Sequence, residues 1–426
     1  MEWMILLIFI AGYVAIAFEH TIGVNKAAAA LITGVLCWTI YIFDANDKSL
    51  ITSQLSEHLG ALSQILFFLM GAMTIVELID AHDGFEIITE RIKTKDKSKL
   101  LWIIGLLSFF LSAILDNLTT TIVMVSLVRK LVAREKDRWM LAGLIIIAAN
   151  SGGAWSPIGD VTTTMLWIGG QVTASNIIIK LILPSFFSML IPILLLRFIF
   201  KGKIDTPVQS LSKENDTTTK RERMVIFFAG VLLLLLVPVF KTITHLPPFM
   251  GMMFGLGIMW IITEVIHSKK NEEERKNFTV AYALKKIDTA SILFFLGILL
   301  AISALESAGQ LKLAAGWMDT HIKDQNSIAI SIGLLSSIVD NVPLVAATQG
   351  MYDLNLYPVD HYFWEFLAYC TGTGGSILII GSAAGVAAMG LEKINFIWYL
   401  KRISWLALLG YFAGAVVYIL QSTLIG

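Results

Sequence analysis

The chain has 426 residues, of which 56% are hydrophobic and only 15% are charged, and its 32 basic and 32 acidic residues give a formal net charge of zero. So few charges cannot cover the surface of a soluble domain of this length, and the charge balance gives no reason to expect a nucleic acid as partner. Apolar runs long enough to cross a bilayer recur from end to end. The sequence therefore predicts an all-α polytopic membrane protein.

Taken in chain order, the apolar segments divide the chain into four regions. Residues 1–60 hold N-terminal transmembrane helices, and residues 61–200 form a first unit. Residues 201–288 contain a basic cytoplasmic linker and connecting transmembrane helices, and residues 289–424 form a second unit. We expect about ten transmembrane helices in all, together with two re-entrant hairpins.

Four segments do not have the pattern of ordinary transmembrane helices. Segments 100–128 and 327–348 each carry an Asp-Asn pair near the middle, where a charge in hydrocarbon is costly. Segments 139–168 and 362–388 are interrupted by clusters of Gly, Ser, Thr and Asn. We interpret the first two as re-entrant hairpins and the other two as broken helices, which persist in a membrane only when buried in protein or lining a cavity.

The distribution of basic residues supports the hairpin interpretation. If both hairpins return to the side they entered and the N- and C-termini are external, 27 of the 32 Lys and Arg residues lie in cytoplasmic loops. Basic residues concentrate on the cytoplasmic side of membrane proteins, and a full crossing at either hairpin would mix the two sides. The expected location is thus the inner (plasma) membrane, with both termini on the periplasmic side.

The two units repeat each other in sequence. The run Leu66 to Leu69 recurs at Leu293 to Leu296, and the Asp-Asn pair recurs 224 residues later. Gly152-Gly153 recurs as Gly374-Gly375. Because the first unit is expected to start outside and the second inside, the repeats are expected to be inverted. Inverted repeats with broken helices and a site at mid-membrane are typical of secondary transporters.

The two hairpin tips are the first candidate site residues. Asp and Asn are also favoured helix caps and turn formers, so one such tip alone would be weak evidence for a binding site. Two tips at matching repeat positions, both deep in apolar segments, favour a binding role, and capping is compatible with it. We predict cation or proton binding at Asp116, Asn117, Thr119, Asp340 and Asn341, with Na⁺ held by Asp116, Asn117, Asp340 and Asn341.

The interrupted segments supply neutral oxygen ligands. Glycines there are expected to let the backbone approach closely and to adopt positive φ, which exposes carbonyl oxygens. Carboxylate, carbonyl and hydroxyl oxygens suit a hard cation such as Na⁺ or Li⁺ and not a transition metal, although small residues also serve helix packing in membranes. The candidates are Asn150, Ser151, Gly152, Asp160, Thr162, Thr163, Thr371, Thr373, Gly374 and Ser376.

Further acidic and imidazole groups lie near the spans. Asp160 stands in the second half of a broken helix and needs a partner or water there; the second unit has Ser382 at the matching position. Glu77 and Glu306 are secondary candidates at the ends of the first spans of the two units. Three histidines at span ends are candidates for sensing cytoplasmic pH: His20, His82 and His267.

Through these residues the chain resembles the NhaD-type sodium/proton antiporters of the ion transporter superfamily. The resemblance rests on both Asp-Asn tips, on the run from Asn150 to Thr163 and on the run from Thr371 to Ser376, and it covers nearly the whole chain. It implies exchange of cytoplasmic Na⁺ or Li⁺ for external protons. It also implies roles for Asp116, Asn117, Asp160, Thr162, Thr163, Asp340, Asn341 and Ser376.

The resemblance sets the remaining expectations. No cofactor is expected beyond the transported ions, the chain is expected not to be an enzyme, and a homodimer is expected because carriers of this fold are often dimers. Na⁺ and H⁺ are expected to compete for the carboxylates of Asp116 and Asp340, because burial disfavours a bare carboxylate and a bound cation favours it.

Three other functions stay open at this point. The first is a carrier for a dicarboxylate, an arsenite-like metalloid or another small anion on the same scaffold; relatives that carry dicarboxylates have Ser at the hairpin tips where this chain has Asp. The second is an intramembrane aspartyl protease, whose sequence context the preceding Leu115 and Val339 do not match. The third is a passive channel.

Overall fold

The computed structural model describes residues 2–17, 19–44, 47–89, 92, 94–205 and 218–425, and the regular structure of these residues is helical apart from one isolated β-bridge between Asp96 and Lys203. The first half contains α1 (Glu2–Ala17), α2 (Glu19–Ile22), α3 (Lys26–Asp44), α4 (Lys48–Ala81), α5 (Glu86–Thr89), α6 (Lys97–Leu115), α7 (Asn117–Leu131), α8 (Glu135–Ala154), α9 (Val161–Ile168) and α10 (Ala174–Ile199).

The second half begins with connecting helices and continues into the second unit. It contains α11 (Lys220–Thr244), α12 (Pro248–Ile266), α13 (Glu272–Arg275), α14 (Val280–Lys286), α15 (Thr289–Ser307), α16 (Gln310–His321), α17 (Gln325–Leu335), α18 (Asn341–Met351), α19 (Tyr362–Gly374), α20 (Ala383–Glu392), α21 (Phe396–Arg402) and α22 (Ser404–Ile425), with a short 3₁₀ helix (Lys276–Phe278) before α14.

Eight helices of the described residues are long and apolar enough to cross a membrane. They are α3, α4, α6, α10, α11, α12, α15 and α22. This confirms the prediction of an all-α polytopic membrane protein. The structure has eight such helices among the described residues where the sequence predicts about ten. One of the eight, α6, ends at the first Asp-Asn pair, whereas the other helices next to the pairs and breaks, apart from α8, are shorter: α7, α9, α17, α18, α19 and α20. The re-entrant path, the inverted relation of the two units and the unit boundaries stay predictions.

Polar residues fix where the long helices begin. The carboxylate of Asp96 accepts a hydrogen bond from the Lys99 amide at the start of α6, and Asp288 accepts one from Ser291 at the start of α15. Thr219 and Glu222 form a reciprocal capping box at the start of α11. Such caps satisfy amide groups that have no partner inside the helix.

The helices break where the sequence predicts. Asp116 alone separates α6 from α7, and residues 336–340 separate α17 from α18. Residues 155–160 separate α8 from α9, and residues 375–382 separate α19 from α20. The first part of each polar cluster is helical, because α8 extends to Ala154 and α19 to Gly374, so each break begins near the end of its cluster.

Both broken helices lie at the centre of the bundle. All residues from Leu141 to Ala154 in α8 and from Phe363 to Gly374 in α19 are buried. A helix without an exposed face is surrounded by other helices, and α6, α7, α10, α19 and α20 all pack on α8. The polar ends of α8 and α19 therefore lie inside protein.

A buried carboxylate joins the two units at one end of the bundle. Glu392, at the end of α20, pairs with Arg129 of α7 at 2.5 Å and with Arg138 of α8 at 2.9 Å. The Glu392 side chain is only 1% exposed, and its backbone carbonyl accepts a hydrogen bond from the indole of Trp139. This ion-pair cluster connects α7 and α8 to α20.

Candidate cation site

The first Asp-Asn tip has a strained backbone. Asp116 has φ 85° and ψ 160°, a region that residues other than glycine rarely occupy. Its carboxylate caps α7, accepting hydrogen bonds from the Thr119 amide at 2.8 Å and the Thr119 hydroxyl at 2.9 Å. Strain of this kind persists at functional sites when the surrounding structure holds it. The tip thus combines a helix cap with a half-buried carboxylate.

The side chain of Asn117 connects this tip to the first broken helix. Its amide nitrogen donates to Asp160 Oδ2 at 2.8 Å and to Asn150 Oδ1 at 3.0 Å. Asp160 caps α9, with its other oxygen accepting from the amide of Thr162 at 3.0 Å and from its hydroxyl at 2.8 Å. Asn117, Asn150 and Asp160 are all buried. Three elements that are separate in sequence therefore meet at one carboxylate.

Among the described residues, Asp160 has no cationic partner. The residue is only 1% exposed, and none of the ion pairs between the described residues includes it. Asp116 and Asp340 are close enough to Asp160 to interact with it electrostatically. A buried carboxylate without a cationic partner is stable only when a proton or a cation neutralises it.

The second unit completes the surroundings of Asp160. The amide of Asn150 donates to the Ser382 hydroxyl at 3.0 Å. A Cβ atom on Gly372 of α19 would lie 3.7 Å from Asp160 Oδ2, so the second broken helix approaches this carboxylate closely. The site therefore lies between the ends of both broken helices, with amide, hydroxyl and carboxylate oxygens around it. We call Asn117, Asn150, Asp160 and Ser382 the central cluster.

The second Asp-Asn tip differs from the first. Asp340 has an ordinary φ of −49° and caps α18 by accepting from the Val342 amide at 3.2 Å. One of its oxygens lies 3.6 Å from the ammonium of Lys26, at the start of α3. Asn341 is buried, but the position that matches Asn150 is Gly372. The two tips thus match in sequence and differ in their partners.

The predicted glycines act in packing. The prediction that they adopt positive φ is wrong, since the glycines with positive φ among the described residues lie elsewhere. Close approach is confirmed: a Cβ on Gly159 would lie 2.6 Å from the Ser112 carbonyl oxygen, and one on Gly381 would lie 2.5 Å from that of Ser337. Gly152 and Gly374 make matching close contacts with the carbonyls of Phe109 and Gly333. These glycines hold α6 against the first broken helix, and α17 with the residues that follow it against the second.

The remaining predicted hydroxyl groups are buried and lie outside the central cluster. Thr371 and Thr373 donate to carbonyls one turn earlier in α19, and Ser376 donates to Thr373. Ser151 contacts Ser188 of α10, and Thr163 donates to the Ala154 carbonyl. Their oxygens keep acceptor capacity, but in this structure none of these hydroxyls is hydrogen-bonded to Asp160.

Two cavities approach the central region. One of about 430 Å³ is lined by Lys26, Glu77, Asp80, Thr119 and Lys286, on the side that the basic residues predict to be cytoplasmic. Another, of about 320 Å³, is lined by His58, Met165, Gln171, Glu306 and Gln349. The secondary candidates Glu77 and Glu306 therefore lie in different cavities, and neither belongs to the central cluster.

The histidine candidates form a buried pair. His82 Nε2 lies 2.8 Å from His267 Nε2, and the Phe278 ring stacks on His267 and lies tilted against His82. Burial lowers the pKa of His82 to about 4 and also lowers the pKa of His267. Both rings are thus neutral at neutral pH. The side chain of His20 lies outside the described residues.

Sequence reasoning missed two functional candidates. Ser382 was recognised only as the neutral counterpart of Asp160, and Lys26 counted only as a basic loop residue. Ser382 is 232 residues from its partner Asn150, and Lys26 is 314 positions from Asp340. No local pattern connects residues so far apart. The inverted-repeat interpretation was the signal that could have pointed to Ser382.

Comparison with known proteins assigns the chain to a family. A family model described as citrate transporter matches residues 5–364. The chain is 48% identical to sodium/proton antiporter 1 of Arabidopsis thaliana, over 97% of this chain and 71% of that protein, and 46% identical to sodium/proton antiporter 2, over 97% and 98%. It is 30% identical to the Na⁺/H⁺ antiporter NhaD of Vibrio cholerae, over 97% and 91%. The chain therefore belongs to the family of NhaD-type sodium/proton antiporters, within the wider family that the citrate transporter model describes.

Proposed function

We propose that this protein is a secondary active carrier that exports cytoplasmic Na⁺ or Li⁺ in exchange for external protons. The names of its relatives in Arabidopsis thaliana and Vibrio cholerae support this activity. The observation that carries the proposal is Asp160, a buried carboxylate without an ion-pair partner among the described residues, surrounded by amide and hydroxyl groups.

The exchange follows from the chemistry of Asp160. A bare carboxylate in this environment is unfavourable, and either a proton or a monovalent cation neutralises it. The two ligands cannot neutralise the same charge together, so they compete. Oxygens of Asn150, Ser382 and Asp116 are suited to complete the shell of a hard cation, because Na⁺ prefers neutral and anionic oxygen ligands.

The position of the cluster suits alternating access. The larger cavity reaches Thr119 at the first tip, and the smaller one reaches Met165 of α9, which follows Asp160 in the chain. We infer that the hydrogen-bonded central cluster lies between them. We infer that the hairpins and broken helices move relative to α3, α4 and α15, which opens the cluster to one cavity at a time.

Asp116 and Asp340 are assigned supporting roles in this scheme. Both interact electrostatically with Asp160, so their charges help to hold a cation there. Asp116 and Asp160, which have no ion-pair partner among the described residues, disfavour citrate or another anion, since like charges repel at short range. A citrate carrier, although the matching family model has that description, is therefore the less favoured function.

The membrane and the orientation are also part of the proposal. We place the protein in a plasma membrane with both termini outside, because this arrangement puts most basic residues on the cytoplasmic side. A homodimer is expected from the resemblance to carriers of this fold.

Everted membrane vesicles energised by respiration provide the test. A pH-sensitive dye is quenched as protons accumulate, and added Na⁺ or Li⁺ should reverse the quenching in vesicles with the wild-type chain. Asp160→Asn and Asp116→Asn should abolish or strongly reduce this response. Asp353→Asn, at an exposed acid outside the site, is the matched control. The proposal would be contradicted if neither Na⁺ nor Li⁺ reversed the quenching, or if Asp160→Asn vesicles responded like the wild type.

A further inference from the structure

Lys26 faces the second hairpin tip from outside the repeat units. Its ammonium lies 3.6 Å from Asp340 Oδ2 and 4.4 Å from the centre of the Phe294 ring. The side chains of Lys26 and Asp340 are 27% and 18% exposed, and Lys26 lines the larger cavity. The ion pair is thus partly shielded from water and open to ions that enter from that cavity.

The backbone around Lys26 is held in place. Its amide donates to the carboxylate of Glu19 at 3.1 Å. It begins α3, which packs along α15, the helix that carries Phe294. The Phe294 ring gives the ammonium a second attractive contact, because a cation over an aromatic face is stabilised. Lys26 can therefore leave Asp340 without losing every favourable contact.

In the part of the chain that the structure describes, the first tip has no such partner. Asp116 is bound by the amide and hydroxyl of Thr119, and the ion pairs between described residues do not include it. The two matched tips therefore differ in charge: the first is a carboxylate without a counter-ion among the described residues, and the second is neutralised by the side chain of Lys26.

We propose that Lys26 is a tethered cation that competes with Na⁺ for Asp340. The inference rests on the proposed Na⁺/H⁺ exchange and identifies a residue that sets its cation affinity. When the ammonium neutralises Asp340, no Na⁺ or proton is needed there. A cation that binds at Asp340 must displace the ammonium, since both neutralise the same carboxylate. Lys26 would thus lower the apparent Na⁺ affinity. It would also allow the carrier to change orientation without a transported ion at Asp340.

Substitutions at Lys26 test this role. Lys26→Gln removes the charge, Lys26→Met removes it while keeping an apolar stem against Phe294, and Lys26→Arg keeps the charge. The readout is the Na⁺ concentration that gives half of the maximal thermal stabilisation of the purified protein, at about pH 8.5, where ordinary carboxyl groups are ionised. This measurement does not require transport, so it also applies to inactive variants.

The neutral variants should need about two- to fivefold less Na⁺ than the wild type, the range that a partly exposed ion pair of ordinary strength provides. Lys26→Arg should keep the wild-type value. In an Asp340→Asn background, Lys26→Gln should have no effect, because the carboxylate for which the two cations compete is gone. The second neutral variant guards against a folding defect of one substitution.

Two results would overturn the role of Lys26. One is an unchanged half-saturating concentration in both neutral variants while the wild type responds to Na⁺. The other is an effect of Lys26→Gln that persists in the Asp340→Asn background. A wild-type protein that Na⁺ neither stabilises nor drives to exchange protons would instead contradict the proposed function, so the two failures are distinguishable.

Discussion

Gly159→Ala should impair exchange without adding or removing a polar group. A Cβ atom at Gly159 would lie 2.6 Å from the carbonyl oxygen of Ser112. This distance is 0.8 Å shorter than 3.4 Å, the distance at which ordinary van der Waals contact begins. The Cα atoms of Gly153 and Ala113 would lie 2.9 Å and 3.0 Å away. Backbone atoms of α6 and α8 thus enclose the new methyl group, and neither can turn aside as a side chain could.

The backbone shift that relieves this clash would move the central cluster, because Gly159 directly precedes Asp160. A shift of 0.8 Å taken up along the 2.8 Å bond from Asn117 to Asp160 would bring it to about 3.6 Å, beyond hydrogen-bonding distance. Overpacking of this kind costs about 1–3 kcal/mol. Displacements near 1 Å at a reacting site can lower a rate by about a hundredfold. We expect a loss of exchange of about ten- to a hundredfold.

The assay is the initial rate of Na⁺-driven dye recovery in everted vesicles, normalised to the amount of protein in the membrane. Gly257→Ala is the matched control, because a Cβ atom at this position of α12 meets no other atom within 4 Å. The control should exchange at the wild-type rate. If Gly159→Ala does so too, then close packing of α6 on the first broken helix does not position Asp160, and the reasoning is refuted.

Three further predictions follow from other contacts. Asn117→Ala removes the amide donor to Asp160 and should lower the exchange rate about tenfold or more; wild-type rates in vesicles would contradict that role. Glu392→Gln leaves two arginines without their buried carboxylate and should lower the free energy of unfolding by about 1–3 kcal/mol, less than for a fully buried pair because the arginines are partly exposed. Thermal melting checks this against Glu135→Gln, at an exposed acid, which should melt like the wild type. Burial lowers the pKa of His82 from 6.5 to about 4, so the unfolded chain takes up this proton at higher pH than the folded protein. The contribution of His82 to the free energy of unfolding is fully present above about pH 6.5 and is lost as the pH falls toward about 4. His82→Gln should make the melting temperature depend less on pH over that range. An unchanged slope of melting temperature against pH would exclude His82 as the cause of the pH dependence.

Sequence reasoning succeeded where the information is local. An Asp-Asn pair inside an apolar run must end one helix and cap the next, and the structure has that break at Asp116 and at Asp340. Asp160 follows the same rule at the start of α9. Caps and breaks depend on a few neighbouring residues, which explains why they could be read directly.

The composition of the central cluster could not be predicted in the same way. Asn150 bonds to Ser382 across the two units, and Lys26 approaches Asp340 from a helix outside both. These contacts depend on how distant helices pack. The positive φ expected for the glycines was wrong for a related reason: residues such as Gly159 meet the backbone of another helix, a requirement that local sequence does not reveal.

Transport by the purified protein in sealed liposomes tests the central claim most directly. With protons more concentrated inside than outside, wild-type protein should take up radioactive Na⁺ while the lumen becomes more alkaline, and Asp160→Asn should do neither. The account would be contradicted if Asp160→Asn exchanged Na⁺ for protons at the wild-type rate, or if the wild type carried no Na⁺ under any proton gradient.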